Sequence, residues 1–227
     1  MRKDFLFILL CVMAVLTVGC GSDQALKKAE KYYALGEYYE SAAQYKKAYS
    51  QTPIKEKTRR GQISAKLAEC YRKTNNTSRA ITAYNNVIRN KQADSLTHLR
   101  LAQQLMKNGS YKEAAKNFQA AMDSLPHNDP HWNLARNGLK SAQQAPQWKK
   151  EPSAYTVKRM DIFNSRRDDY SPALAGDDND QLFFTSTRNQ AQGDDLSGIT
   201  GSKAADIFFS QKDDKGNGAS PRASTPN

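Results

Sequence analysis

Ala68-Glu69-Cys70-Tyr71-Arg72-Lys73-Thr74-Asn75-Asn76-Thr77-Ser78-Arg79-Ala80-Ile81-Thr82-Ala83-Tyr84-Asn85-Asn86-Val87 carries the order from which the fold is read: small, large, turn, small, aromatic, small. The order stands 39 residues earlier in Ala29, Tyr32, Gly36, Ser41, Tyr45 and Ala48. It stands 34 residues later in Ala102, Leu105, Gly109, Ala114, Phe118 and Ala121. Each unit reads as two helices. Ala29, Ala68 and Ala102 let the pair approach closely, and Tyr45, Tyr84 and Phe118 fill the space between neighbouring units. Gly36, Asn75 and Gly109 turn the chain where positive φ is wanted. Pro53 and Pro126 stop second helices; Asp94-Ser95 and Asp129-Pro130 start the next ones. The five extra residues of the longer spacing fall in Ile54 to Arg60, a charged connector. Trp132, Leu134 and Leu139 continue in phase as a fourth half-unit.

A 34-residue period in this order resembles the tetratricopeptide repeat, a pair of antiparallel helices. The resemblance covers residues 25–146, as three repeats and a capping helix; a generic helical bundle is the competing reading. It implies a solenoid without chemistry of its own, whose stacked first helices line a groove. On that pattern the groove presents Leu26, Glu30, Tyr33, Glu69, Arg72, Lys73, Leu99, Gln103, Met106 and Lys107. This is an apolar strip with a cationic middle, suited to a protein segment carrying acidic groups. Plain solvent exposure is the competing explanation for each residue.

After Pro146 the pattern changes. Residues 147–154 read as a linker. Short β-type runs follow at Tyr155–Val157, Leu182–Ser186 and Ile207–Ser210, separated by Gly, Asp and Asn. Asp177-Asp178-Asn179-Asp180 reads as a turn between strands. Asn164-Ser165, Tyr170-Ser171-Pro172 and Phe183-Phe184-Thr185-Ser186-Thr187-Arg188 resemble a blade of the PD40 (WD40-like) β-propeller, over residues 155–216. The expected class is therefore mainly α: a tetratricopeptide solenoid followed by a short, incomplete β segment. A propeller needs about 4–8 blades, so Leu182, Phe183, Phe184, Ile207, Phe208 and Phe209 are expected to await a neighbouring blade. Residues 217–227 read as a disordered tail. With suitable codons, loss of one nucleotide inside a Lys-Trp-Ser-type continuation would produce Asn217 to Ala223; a true short protein and a fragment are the competing readings.

The other end of the chain gives an address. Arg2 and Lys3 precede an apolar run from Phe5 to Val18, too short for a membrane span of roughly 20 residues. Leu16-Thr17-Val18-Gly19-Cys20 follows the lipoprotein pattern, so residues 1–19 are expected to be a signal peptide. Cys20 is then the lipidated residue and 20–24 a tether. An ordinary secretory peptide is the alternative. Cys11 leaves with the signal, so Cys70 has no cysteine partner and reads as a buried core thiol.

The net charge of +11 is unevenly spread. Residues 21–150 hold 23 Lys and Arg against 10 Asp and Glu, whereas residues 151–227 hold 9 against 12. Export turns the basic half away from nucleic acid and toward acidic partners, lipid head groups or envelope polymers; a solvated surface is the bland reading. No phosphate loop, nucleophile elbow or metal-ligand spacing stands out, so neither catalysis nor a cofactor beyond the Cys20 lipid is expected.

Lipidation signal, repeat array and blade, in this order, resemble the OmpA-family envelope lipoproteins associated with type IX secretion and gliding. The resemblance implies a protein-binding scaffold anchored in the outer membrane, on its periplasmic face. In that family a distal domain binds peptidoglycan; this sequence has no counterpart of it. The alternative is a stand-alone tetratricopeptide lipoprotein that holds client proteins during outer-membrane assembly.

Overall fold

The computed structural model describes residues 21–151, 154–193, 195–213 and 218–224. The signal segment and Cys20 lie outside the described residues. Two units are distinguished, Met1–Pro152 and Ser153–Asn227. The described part of the first is helical: α1 (residues 21–34), α2 (Tyr38–Gln51), α3 (Lys57–Lys73), α4 (Thr77–Arg89), α5 (Ser95–Lys107), α6 (Tyr111–Ser124) and α7 (Pro130–Trp148). Among the described residues no helix is long and apolar enough to cross a membrane.

The helices pair in sequence, and their turns repeat one geometry. Gly36, Asn75 and Gly109 have φ of 78°, 55° and 75°. In each turn this residue's N–H returns to the carbonyl three before it, and the next N–H to the carbonyl five before. That is the Schellman closure of a helix. The closure recurs at Lys91 (φ 58°) after α4. Pro53 and Pro126 follow the ends of α2 and α6; Gln92 holds the equivalent place, and the left-handed Lys91 ends α4 there instead. Asp94 and Thr97 form a capping box on α5, and Asp129 caps α7 with Pro130 in its first turn.

Burial follows the repeat. Ala29, Ala68 and Ala102 are fully buried, and so are Ala48, Val87 and Ala121. Tyr45, Tyr84 and Phe118 sit in the core between them. The Ser41 hydroxyl donates to the Ala29 carbonyl at 2.9 Å, and the buried Cys70 thiol lies 3.5 Å from that hydroxyl. Burial pushes the Cys70 thiol above its ordinary pKa. Against Phe118, α7 presents Gly138, where a Cβ would stand 2.4 Å from the ring.

The helical unit differs from expectation at four places. Residues 21–24 belong to α1 rather than to a tether: Ser22 is buried, its hydroxyl 3.1 Å from that of Thr52. The expected connector up to Arg60 ends sooner, because Lys57 to Arg60 form the first turn of α3. Arg60 holds that turn by donating to the carbonyls of Tyr49 and Thr52, at 3.1 and 2.6 Å. Helix α7 continues through Pro146 to Trp148, since a proline near the end removes little bonding. Leu134 is half exposed, and Ala135 takes the core position beside it.

The second unit is one antiparallel sheet, β1 (Asp169–Ala175), β2 (Gln181–Ser186), β3 (Asp206–Gln211) and β4 (Arg222–Ala223), in that order. Asp177 to Asp180 lie in the β1–β2 turn, with Asn179 at φ 51°. Ser171 (φ 53°) and Pro172 lie at an irregularity of the edge strand β1, where a missing N–H is tolerated. Tyr155–Val157 form no strand; Tyr155 and Val157 are exposed. The expected disordered tail contributes β4, and Ala219 N–H bonds the Gln211 carbonyl.

One face of this sheet is closed within the unit. Phe184 and Phe208 are buried, and the Arg188 guanidinium lies 4.8 and 4.7 Å from their ring centres. Arg188 donates to Ser186 Oγ at 2.9 Å, to the Phe163 carbonyl at 2.6 Å and to Asp169 Oδ1 at 2.8 Å. Burial raises the pKa of the Asp169 carboxyl, but hydrogen bonds from Ser186, Arg188 and Ser165 outweigh it and bring it to about 2. Phe184 and Phe208 thus find their cover inside the unit. On the opposite face Phe183 and Phe209 pack at 4.9 Å and Ile207 is exposed.

Candidate binding face

The first helices of the pairs, α1, α3 and α5, are linked by polar side chains. Arg100 of α5 reaches the Glu69 carboxylate of α3 at 3.1 Å, and Arg72 binds the same group at 2.8 Å. Tyr84 of α4 donates its hydroxyl to it as well. Burial raises the pKa of Glu69, but these bonds and the two guanidiniums outweigh it, so the carboxyl stays below its usual range. Lys107 Nζ donates to Asn75 Oδ1 at 3.2 Å. Lys66 stands 5.1 Å over the Tyr33 ring of α1, and Lys73 4.6 Å over Tyr38, the first residue of α2. Those two rings meet edge to face at 5.4 Å.

The ten residues expected to line a groove divide into distinct groups. Glu30, Lys73 and Lys107 are exposed. Tyr33, Arg72 and Gln103 are half-buried, and Leu26 and Met106 are half-buried against the core. Glu69 is mostly covered and fully engaged by its three partners. Leu99, at 2% exposure, is a core residue and is withdrawn from the face. The expected apolar strip is therefore absent as such: the surface is cationic, with tyrosine rings beneath the charges.

Lys66 and Arg100 belong to this face and were missed by the sequence reading. On a helix each residue turns the side chain by about 100°, so Leu99 points inward and Arg100 outward. The sign of that step was legible in the apolar spacing around Leu99, Ala102 and Leu105.

His98 faces Asn117 at 3.0 Å, His131 lies beside its helix cap Asp129 at 2.9 Å, and His127 stacks on Trp132. Among the described residues no three His, Cys, Asp or Glu stand together as metal ligands. The second unit has a separate cavity of about 620 Å³ lined by Met160, Phe163, Leu174 and Leu182, with Lys158 and Lys212 also in its wall. No family model matches the chain, and no curated protein matches it.

Proposed function

We propose that the chain is an envelope lipoprotein whose helical unit is a tetratricopeptide scaffold. It is anchored through Cys20 in the outer membrane and binds an acidic protein segment across α1, α3 and α5. The observation that carries this reading is the charge balance of that face. Glu69, the carboxylate at its centre, is neutralised by Arg72 and Arg100, while exposed Lys66, Lys73 and Lys107 outnumber the exposed carboxylate of Glu30 on the same face. A polyanionic segment would supply the missing carboxylates and be steered there by the field.

The place of this scaffold, on the same reading, is the type IX secretion and gliding complex, with the β unit as the start of a PD40-type propeller. The second reading, a holder of outer-membrane clients, shares the binding face but differs in partner.

Calorimetric titration of the mature chain with an Asp/Glu-rich peptide tests the face. Lys66→Glu with Lys73→Glu is expected to weaken binding at least fivefold, for about 0.5 kcal/mol or more per exposed pair lost. Unchanged affinity removes the proposal. Capture from the envelope then separates the two readings: secretion-machine components support the scaffold, and unfolded barrel proteins support the holder.

A further inference from the structure

The extra residues after the first repeat have no counterpart after the second, and the binding face does not use them. They form the loop from Pro53 into α3, and at its tip Ile54 is 80% exposed. Lys55 and Lys57 follow it and are exposed. Arg89 and Lys91, at the end of α4, lie on the same edge, because Gly61 near the start of α3 packs against Asn90 and Gln92. None of these four cations is in an ion pair among the described residues. The nearby carboxylates are otherwise engaged: Asp23 and Glu56 pair with Arg59, and Asp94 caps α5.

The loop is also held in place. Arg59 donates to Ser22 Oγ at 3.2 Å and binds Asp23; Arg60 lies 3.9 Å over the Tyr49 ring while donating to the Thr52 carbonyl. Gly21 stands against the side chain of Gln51, 3.5 Å from where its Cβ would be. The residue after Cys20 is thus fixed at the same end of the helices as Ile54.

We propose that this loop is a membrane-contact element. Ile54 enters the headgroup layer beside the lipid of Cys20, and Lys55, Lys57, Arg89 and Lys91 sit on anionic headgroups. The inference rests on the reading of Cys20 as lipidated. An apolar tip ringed by unpaired cations, next to a lipid attachment point, combines two signals of surface binding. Each cation near an anionic surface contributes about a fivefold gain in affinity. Residues 21–24 are helical, so a lipid on Cys20 would hold the array to the bilayer by this edge.

The test uses the lipidated mature protein on vesicles of phosphatidylcholine with and without phosphatidylglycerol. Ile54→Cys is labelled with an environment-sensitive fluorophore; Cys70 is buried and does not compete. Leu35→Cys, at the other end of α1 roughly 20 Å away, is the control. On phosphatidylglycerol vesicles the emission at position 54 is expected to shift to the blue and to be quenched by spin-labelled lipid, with neither effect at 35. Adding Lys55→Glu and Lys57→Glu is expected to return the emission at 54 to its value in water. Equal water exposure at 54 and 35 overturns the proposal. So does the same response on pure phosphatidylcholine, or a shift that requires an added protein, which would make Ile54 a protein contact. Intact mass separates the two readings: without a diacylglyceryl on Cys20 both fall, whereas a lipidated protein with no shift at 54 defeats the loop alone.

Discussion

The Tyr84 hydroxyl of α4 donates to the Glu69 carboxylate of α3, the group that Arg100 of α5 also binds. One acidic side chain therefore joins three successive helices. Glu69→Ala leaves a buried hydroxyl and two guanidiniums without their acceptor and is expected to cost about 2 kcal/mol. Tyr84→Phe, which removes one donor and keeps the ring in the core, should cost about 1 kcal/mol. Both tryptophans lie in α7, so urea titration followed by their fluorescence reads the helical unit. Because the folded pKa of Glu69 lies below its ordinary value of 4.5, its stabilisation is present above that pH and is lost as pH falls through the folded value. Glu69→Gln should therefore show a shallower loss of Tm on acidification than the wild type.

Gly138 meets the Phe118 ring where any Cβ would overlap it. Gly138→Ala is expected to destabilise the α6–α7 contact by about 1–3 kcal/mol. Phe118→Leu makes room, so the double variant should lose less than the sum of the two single losses. Additive losses in the same urea experiment would mean that the two residues do not compete for this space.

The repeat was legible because its signals are local. Gly36, Asn75 and Gly109 need left-handed backbone, Ala29, Ala68 and Ala102 need close packing, and each stands at a fixed offset from the others. The candidate face was less legible. A one-residue step separates the core residue Leu99 from the surface residue Arg100, and of the partners of Glu69 only Arg72 stands at a helical spacing from it; Tyr84 and Arg100 come from two other helices that no spacing rule joins to it. The β unit was legible in its strands β2 and β3, but not in β1, in β4 or in the role of Arg188, and the run Tyr155–Val157 forms no strand. Arg188 is a charged residue in a polar stretch, and its burial depends on Phe184 and Phe208 arriving beneath it from separate strands.

The two units should differ in resistance to protease. The helical unit has a continuous core from Ala25 to Ala142, whereas among the described residues of the β unit the buried hydrophobic ones are Phe184, Ala191 and Phe208. Local opening follows such differences in burial. Limited proteolysis is expected to cut within residues 153–227 first and to leave a fragment close to residues 25–148. Equal lifetimes for both halves would contradict this order.

Arg188 and Asp169 supply the test of what holds the β unit. Their side chains are 10% and 9% exposed, and Arg188 uses Nε and Nη2 on three acceptors while lying over two rings. Lysine offers one ammonium without the planar fork and cannot reproduce that set. Arg188→Lys is expected to cost about 2 kcal/mol, read as faster cleavage within residues 153–227 and as lost ring-current shifts near Phe184 and Phe208. The pH dependence follows from Asp169. Its folded pKa of about 2 lies below the ordinary 3.8, so its contribution is complete above about pH 4. It disappears as pH falls from there through 2. Asp169→Asn keeps an acceptor for Arg188 but has no proton to take up. That variant should start less stable at pH 7 and lose less on acidification. A wild-type β unit whose NMR signals stay unchanged to pH 1.5, about half a unit below the Asp169 value, would show that the Asp169–Arg188 pair does not hold it.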